Sequence, residues 1–164
     1  MSQFAARITD PVTHPLPPIL TGSPISTNVL IGSLQSWRGI SAADLAALMQ
    51  TVKEAQDSID KAKLVTTAAT GTPGEGVAKT NEEKTILDET KRVTDAIAGL
   101  AAKGVSIHAC ASLLPTPAPG VVITGSQTVL INGLPACRMG DTIFEGIHAP
   151  NAIAAGCLTV IIGG

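Results

Sequence analysis

The sequence predicts a mainly β chain in which three β-hairpins with pseudo-threefold symmetry are interrupted by an inserted antiparallel helical hairpin. Two observations lead to this prediction: a pattern of short apolar strands recurs three times in the outer parts of the chain, and charge is concentrated between them. Of the 24 charged residues, 18 lie between Ile40 and Lys103, including every lysine. The chain is therefore expected to divide into residues 1–39, 40–103 and 104–164, with the two outer parts forming one unit.

The repeat occupies both outer parts of the chain. Its first copy spans residues 19–32 (ILTGSPISTNVLIG), its second residues 122–133 (VITGSQTVLING) and its third residues 153–163 (IAAGCLTVIIG). Each copy has a short apolar strand, a glycine-centred turn and a β-branched strand ending in glycine, which is typical of a β-hairpin. Three similar hairpins in one chain predict a pseudo-threefold axis.

Residues 40–103 have the spacing of two amphipathic helices. Ser41 and Asp44 predict an N-terminal cap for the first helix. A Gly/Pro/Thr stretch at 70–76 breaks the pattern, and Thr80–Glu83 predicts a capping box that opens the second helix. The apolar stripes are Leu45, Leu48, Val52, Ala55, Ile59 and Ala62, then Ile86, Thr90, Val93, Ile97 and Leu100. The two stripes predict helices that pack against each other.

The composition argues against nucleic-acid and membrane binding. The chain has 164 residues, a net charge of −2, no tyrosine, and only Phe4, Trp37 and Phe144 as aromatic residues. It therefore lacks both the stacking surfaces of single-strand binders and a basic surface for phosphates or anionic lipids. No apolar run approaches the roughly 18 residues that span a bilayer, so stable membrane insertion is not expected.

The N-terminus and the cysteines indicate the compartment. Residues 1–7 lack the basic stretch and apolar core of a secretory signal, so synthesis in the cytoplasm without a signal peptide is expected. Three cysteines are an odd and sparse set that does not suggest a disulfide framework. Metal binding or burial is the better interpretation of these thiols.

The three histidines are the candidate metal ligands. His14 and His148 each precede the glycine of a repeat copy by eight residues, and His108 precedes Gly125 by seventeen, across a longer proline-rich loop. If a threefold axis relates the hairpins, the three imidazoles converge on it and can share one metal ion.

A cysteine would complete a tetrahedral site. Cys157, in the third copy, is the favoured fourth ligand, while Cys110, two residues after His108, is the reserve. Cys137 is expected to be merely packed. A set of three histidines and one cysteine suits Zn²⁺, although ligand type alone leaves iron open.

Two segments resemble the PAAR-repeat family, the spike-tip proteins of type VI secretion and related contractile injection machines. Residues 5–14 (AARITDPVTH) are similar to the family's opening. Residues 125–141 (GSQTVLINGLPACRMGD) contain its hairpin, with Pro-Ala-Cys-Arg where the family has Pro-Ala-Ala-Arg. Two departures stand out: the first hairpin ends in residues 34–39 (LQSWRG), without a Pro-Ala-Ala-Arg sequence, and the helical hairpin follows it.

The resemblance implies a small cone of β-hairpins with a zinc ion near its apex and a flat base that caps a trimeric spike of the VgrG type. Carried onto this chain, it implies one structural Zn²⁺ held by His14, His108, His148 and Cys157. It also implies a non-enzymatic role, in which one tip per trimer sharpens the spike for membrane piercing and is delivered outside the cell. The free chain is expected to be a monomer.

Two other functions compete with this interpretation. Three histidines also form the carbonic-anhydrase type of site, so a small zinc-dependent, hydrolase-like enzyme is the alternative, but a cysteine in the fourth position would close the site to substrate. Effector or adaptor docking is a further possibility. Residues 41–103 have the spare surface for such a partner.

Overall fold

The computed structural model describes residues 2–14, 16–110, 119–146 and 149–164. The helical elements are α1 (Ala42–Ala69), α2 (Glu75–Gly99) and a 3-10 turn (Leu100–Lys103). The strands are β1 (Gln3–Ala5), β2 (Gly22–Ser23), β3 (Leu30–Ile31), β4 (Leu34–Gln35), β5 (Ile107–Ala109), β6 (Pro119–Val122), β7 (Leu130–Ile131), β8 (Leu134–Pro135), β9 (Thr142–Phe144), β10 (Asn151–Ala152) and β11 (Cys157–Ile162). The chain mixes α and β structure, so the expectation of a mainly β chain is not confirmed.

The two helices form the hairpin that the sequence predicts. The Oγ of Ser41 accepts the backbone N–H of Asp44 at 3.1 Å, which confirms the first cap. The helices bury the predicted stripes against each other, with Leu48 and Ala55 on α1 and Val93 on α2 among the buried positions. In the described part of the chain, neither helix is both long and apolar enough to cross a membrane.

The start of α2 differs from the prediction. The helix begins at Glu75, so the capping box at Thr80–Glu83 is wrong. The Glu75 carboxylate accepts the N–H of Gly71 at 2.8 Å and pairs with Lys79 one turn later at 2.6 Å. A carboxylate in the first turn favours the positive end of the helix dipole, which lets the helix start earlier than the sequence pattern suggested.

Short strands of the outer parts form a closed ring. Five of them pair antiparallel in the order β10-β9-β6-β5-β2. Isolated bridges continue the pairing at both ends: Val12 pairs with Ile153, next to β10, and Pro11 pairs with Ile19, just before β2. The segment at residues 11–12 therefore joins the two outer strands of this sheet.

Two repeat copies end in tight hairpins and the third does not. In β3–β4 and β7–β8 the turn residues Gly32, Ser33, Asn132 and Gly133 all have φ between 54° and 80°, the conformation of type I′ turns. In the third copy, β11 pairs with β1 at the other end of the chain. The prediction of a hairpin that turns at the central glycine of each copy is therefore wrong. Gly22 lies in β2, which pairs with β5, and β6, just before Gly125, pairs with β5 and β9. The tight turns of the first two copies follow at residues 32–33 and 132–133, and in the third copy the N-terminal strand supplies the partner.

A cycle of backbone hydrogen bonds relates the three copies. In each of the pairs β1–β11, β3–β4 and β7–β8, one strand runs directly into a tripeptide that ends in arginine. These tripeptides are residues 5–7 (AAR) at the end of β1, 36–38 (SWR) after β4 and 136–138 (ACR) after β8. Ala6 N–H donates to the carbonyl of Cys137 at 2.9 Å, Cys137 N–H to Trp37 at 3.1 Å, and Trp37 N–H to Ala6 at 3.1 Å. This cycle has the pseudo-threefold arrangement that the repeat predicts, and Ser-Trp-Arg occupies the place of the motif in the first copy.

The arginines of the tripeptides are held in two ways. The backbone N–H of Arg7 donates to Asp10 at 2.7 Å, and that of Arg138 donates to Asp141 at 2.7 Å; each guanidinium also bonds the same carboxylate. Burial raises the pKa of Asp141, against the effect of Arg138. Arg38 instead donates its N–H to the Oγ of Ser106 at 3.2 Å.

The core continues from the helices into the ring. Ile97, Leu100 and Val105 pack with Val121 and Leu134 in one buried cluster. A second cluster contains one residue from each repeat copy, Leu20, Val122 and Ile153, together with Trp37 and Ile143. Helices and ring thus share buried surface.

Candidate metal centre

Two histidines from different parts of the ring meet in the interior. His108 is the central residue of β5, opposite Gly22 on one side and Gly120 on the other, and it is fully buried. His14 follows the segment that bridges to Ile153. Their Nε2 atoms lie 2.6 Å apart. The structure therefore brings together two of the three histidines that the sequence predicts as ligands.

Cys110 and Glu145 complete a group of four donors. The Sγ of Cys110 lies 3.4 Å from His14 Nε2, and the Oε1 of Glu145 lies 3.6 Å from the same nitrogen. One donor atom from each of the four side chains falls within 4.8 Å of the others. His14, the most exposed of the four, has a relative exposure of 9%. Such a group could hold a metal ion.

Burial sets the protonation of these side chains. Burial, with a smaller effect of nearby His14, lowers the pKa of His108 to about 4, so its imidazole is neutral, as a metal ligand must be. Burial and the neighbouring Glu145 carboxylate raise the pKa of Cys110 to about 12. A bound cation would have to displace the thiol proton to gain the thiolate as a ligand.

The donor set fits a metal ion in its chemistry. The Nδ1 of His108 lies 3.3 Å from both the backbone nitrogen and the carbonyl oxygen of Thr21. Ligation through Nε2 requires the tautomer in which Nδ1–H donates to that carbonyl. The Nδ1 of His14 accepts the N–H of Leu16 at 3.2 Å, so ligation through Nε2 would move the proton of His14 to Nδ1. Neutral imidazoles with a thiolate are a donor combination for first-row metals such as zinc.

Cys157, the favoured fourth ligand, lies elsewhere. It pairs opposite Ala5 and packs with Ile31 and Ile162 in a separate buried cluster. Its Sγ lies 3.3 Å from the Oγ1 of Thr159. Cys110, the reserve, is the cysteine that lies beside the histidines, because residues two apart on an extended strand share a face.

Two further residues were considered in the sequence analysis, His148 as a ligand and Cys137 as a packed thiol. His148 lies outside the described residues. Cys137 is buried in a hydrophobic cluster, and burial raises the pKa of its thiol well above the ordinary range, which agrees with the prediction that it is packed.

Glu145 is the member of this group of donors that the sequence analysis missed. A signal for it exists in the repeat: His14 follows Asp10 by four residues, and Glu145 follows Asp141 by four. Because both aspartates are held by the arginine three residues before them, these offsets place His14 and Glu145 at corresponding positions.

Comparison with known proteins supports the resemblance stated above. The family model of the PAAR motif matches residues 114–164. No curated protein and no solved structure has a significant match to the chain. The C-terminal part of the chain thus matches the PAAR motif, and the tripeptide Ala-Cys-Arg of the hydrogen-bond cycle lies within the matched residues.

Proposed function

We propose that this chain, whose residues 114–164 match the PAAR motif, is a metal-stabilised spike tip that caps a trimeric spike of the VgrG type. The machine would be a type VI secretion system or a related contractile injection system, and the tip would sharpen the spike for membrane piercing. The observation that carries the proposal is a set of three exposed aliphatic side chains, one from each repeat copy. These are Leu30, Leu130 and Ile161.

The three side chains occupy corresponding positions. Leu30 lies opposite Gln35, Leu130 opposite Pro135, and Ile161 opposite Phe4; each of these partners directly precedes one of the arginine tripeptides. The relative exposures are 61%, 59% and 64%. The next residue in each strand, an isoleucine, is buried in all three copies. At these two positions, each copy therefore presents one aliphatic side chain outward and one inward.

Three equivalent exposed aliphatic residues suit a partner with a true threefold axis. Covering one such side chain is worth about 1.5–3 kcal/mol, so an uncovered set favours a protein partner. Three identical spike chains can each offer the same surface to one of the three positions. The expected stoichiometry is one tip per three spike chains.

The metal is proposed to be zinc, held by His14, His108 and Cys110. The sequence also offers His148 as a ligand. When bound, the ion would act as a structural cross-link between segments that are distant in the chain, which suits a small fold that must not fray under load. Metal analysis of the purified protein, with a count per chain, distinguishes zinc from iron.

Catalysis is the weaker candidate for this site. A catalytic zinc keeps an open position for water and substrate. Here the imidazoles, the thiol and the carboxylate are all buried. The donor set also includes a cysteine, which favours a closed, structural site.

The proposal includes effector or adaptor docking through residues 41–103. Leu64, Val65 and Val77 are exposed near the connection between α1 and α2. A partner that binds there should be lost from Leu64→Asp or Val77→Asp while spike binding is kept. Equal loss of both partners would contradict a separate docking role.

The spike interaction can be tested with matched leucine variants. Leu30→Asp and Leu130→Asp should each weaken binding to a purified trimeric spike at least about tenfold, since each places a charge in the proposed interface. Leu87→Asp is the control, because Leu87 is also exposed, at 54%, but lies on α2. Calorimetric titration gives the affinity and light scattering gives the stoichiometry. Equal binding by all three variants, or a ratio other than one to three, would refute the capping proposal.

A further inference from the structure

Glu145 is a buried carboxyl group with no lysine or arginine partner among the described residues. Its residue exposure is 4%, and its Oε1 has no hydrogen-bond donor among the described residues. The nearest group that can carry positive charge in that part of the chain is His14, at 3.6 Å. The Cys110 thiol is the other neighbour of the Glu145 carboxyl. Burying an ionised carboxylate without a basic partner costs several kcal/mol, so a cation is expected to compensate it.

We infer that Glu145 is a ligand of the same metal ion as His14, His108 and Cys110, giving a donor set of nitrogen, sulfur and oxygen. The inference deepens the metal part of the proposed function and rests on it. Its direct support is that Oε1 is both without a donor and within 4.8 Å of the other three donor atoms.

Charge balance favours this assignment. A divalent ion bound by neutral imidazoles and one thiolate leaves a net positive charge in a buried site. Adding the Glu145 carboxylate brings the total for ion, thiolate and carboxylate to zero, which removes the cost of a buried net charge.

The repeat supports the same role. His14 and Glu145 stand at corresponding positions, each four residues after an aspartate that accepts an arginine N–H at 2.7 Å. Counted from the aspartate, a carboxylate thus stands before the third copy at the position that His14 has before the first; counted back from the repeat glycine, the residue that corresponds to His14 is His148.

A glycine on the neighbouring strand provides room for both side chains. A Cβ at Gly120 would lie 3.2 Å from the Cγ of Glu145 and 3.4 Å from the Cβ of His108. It would also lie 2.8 Å from the Cγ2 of Ile143. Glycine at this position therefore lets Glu145 and His108 lie side by side on one face of the sheet.

The test compares the full-length protein with Glu145→Gln, which keeps the size of the side chain and removes its charge. Glu83→Gln is the control, since Glu83 is exposed on α2. Each protein is loaded with Co²⁺ alone, and the affinity is measured by competition with a chelating dye. We expect Glu145→Gln to bind at least about tenfold more weakly than wild type, and Glu83→Gln to match wild type.

The absorption spectrum of the Co²⁺ protein separates a ligand from a merely nearby charge. Loss of the carboxylate should change the visible d–d bands, while the thiolate charge-transfer band from Cys110 remains. An unchanged d–d spectrum would overturn the inference, even if affinity falls. Unchanged affinity in Glu145→Gln, or no Co²⁺ binding by the wild-type chain, would overturn it as well.

These results are independent of spike capping. Capping is measured with Leu30 and Leu130 variants that leave the donor group intact. If the spike does not bind but the Glu145→Gln spectrum changes, the proposed partner is rejected and Glu145 remains a ligand. If the spike binds but the Glu145→Gln spectrum is unchanged, the partner remains and Glu145 is rejected as a ligand.

Discussion

Either Cys110 or Cys157 can be the cysteine ligand, and variants of the two residues distinguish these assignments. Both thiols are buried, but only Cys110 lies beside His14. Cys110→Ser should lose most of its metal, because a hydroxyl is a much poorer ligand than a thiolate for zinc. Cys157→Ser should keep the metal content of the wild type. Elemental analysis after dialysis against a weak chelator gives the metal per chain for both variants.

The opposite pattern would restore the original assignment. If Cys157→Ser loses the metal and Cys110→Ser retains it, the arrangement around His14 does not describe the bound state. Serine is a mild replacement at position 157, because the corresponding position of the second copy is Ser126, whose Oγ accepts the N–H of Val129 at 3.0 Å.

The sequence predicts the histidines of the site better than its other donors. His14 and His108 could be predicted because each leads into a repeat copy. The cysteine ligand is harder to predict, because alignment of the repeats shows which positions correspond, whereas the pairing of β11 with β1 decides which way the side chain of Cys157 faces. Glu145 was missed because its signal is its distance from Asp141, and the salt bridge between Arg138 and Asp141 that gives this distance meaning is visible only in the structure.

At the scale of elements, Gly156 shows why the third copy needs glycine. A Cβ there would lie 2.7 Å from the carbonyl oxygens of both Phe4 and Ala5, where the register between β1 and β11 shifts. Gly156→Ala should therefore destabilise the protein by about 1–3 kcal/mol, since backbone atoms must move to accept the methyl group. Urea unfolding followed by the fluorescence of Trp37 measures the change.

Gly99 is the matched control for this substitution. It lies at the end of α2, and a Cβ there would meet nothing within 4 Å. Gly99→Ala should leave stability unchanged or raise it by up to about 1 kcal/mol, because alanine has the higher helix propensity. If both variants lose stability equally, the close approach at Gly156 is not the cause.

An element is easier to predict from the sequence when the residues that stabilise it are close together in the chain. The cap of α1 is local, within residues 41–44, and was predicted correctly. The tight hairpins at residues 30–35 and 130–135 are local as well, but the repeat pattern predicts turns at Gly22 and Gly125, where β2 and β6 instead pair with β5. The third copy depends on a strand at the other end of the chain, and no local pattern reveals that pairing.

At the scale of the whole molecule, the helical hairpin replaces a short turn. Asp10 N–H donates to the carbonyl of Arg7, and Asp141 N–H to that of Arg138, each three residues along. Ser106 N–H makes the same bond to Arg38 at 3.0 Å, across residues 39–105. The insertion therefore leaves and rejoins the ring at one point, which explains how it can interrupt the repeat without separating His14 from His108.

Shared core between the hairpin and the ring predicts how the protein responds to metal removal. Trp37 is the only tryptophan and is fully buried in the ring, so its fluorescence reports on the ring, while far-ultraviolet circular dichroism is dominated by α1 and α2. The two regions meet through Ile97, Leu100 and Val121. A cooperative unit should lose both signals in one transition.

Chelation should therefore lower the melting temperature by the same amount in both signals. A metal present at about a thousand times its dissociation constant contributes about 4 kcal/mol. At about 2–4 °C per kcal/mol for a chain of this size, the shift should be about 8–16 °C. Glu83→Gln should show the full shift, whereas Cys110→Ser should melt low already and change little with chelator. A shift in Trp37 fluorescence alone would mean that the hairpin folds independently of the ring, contrary to the common core.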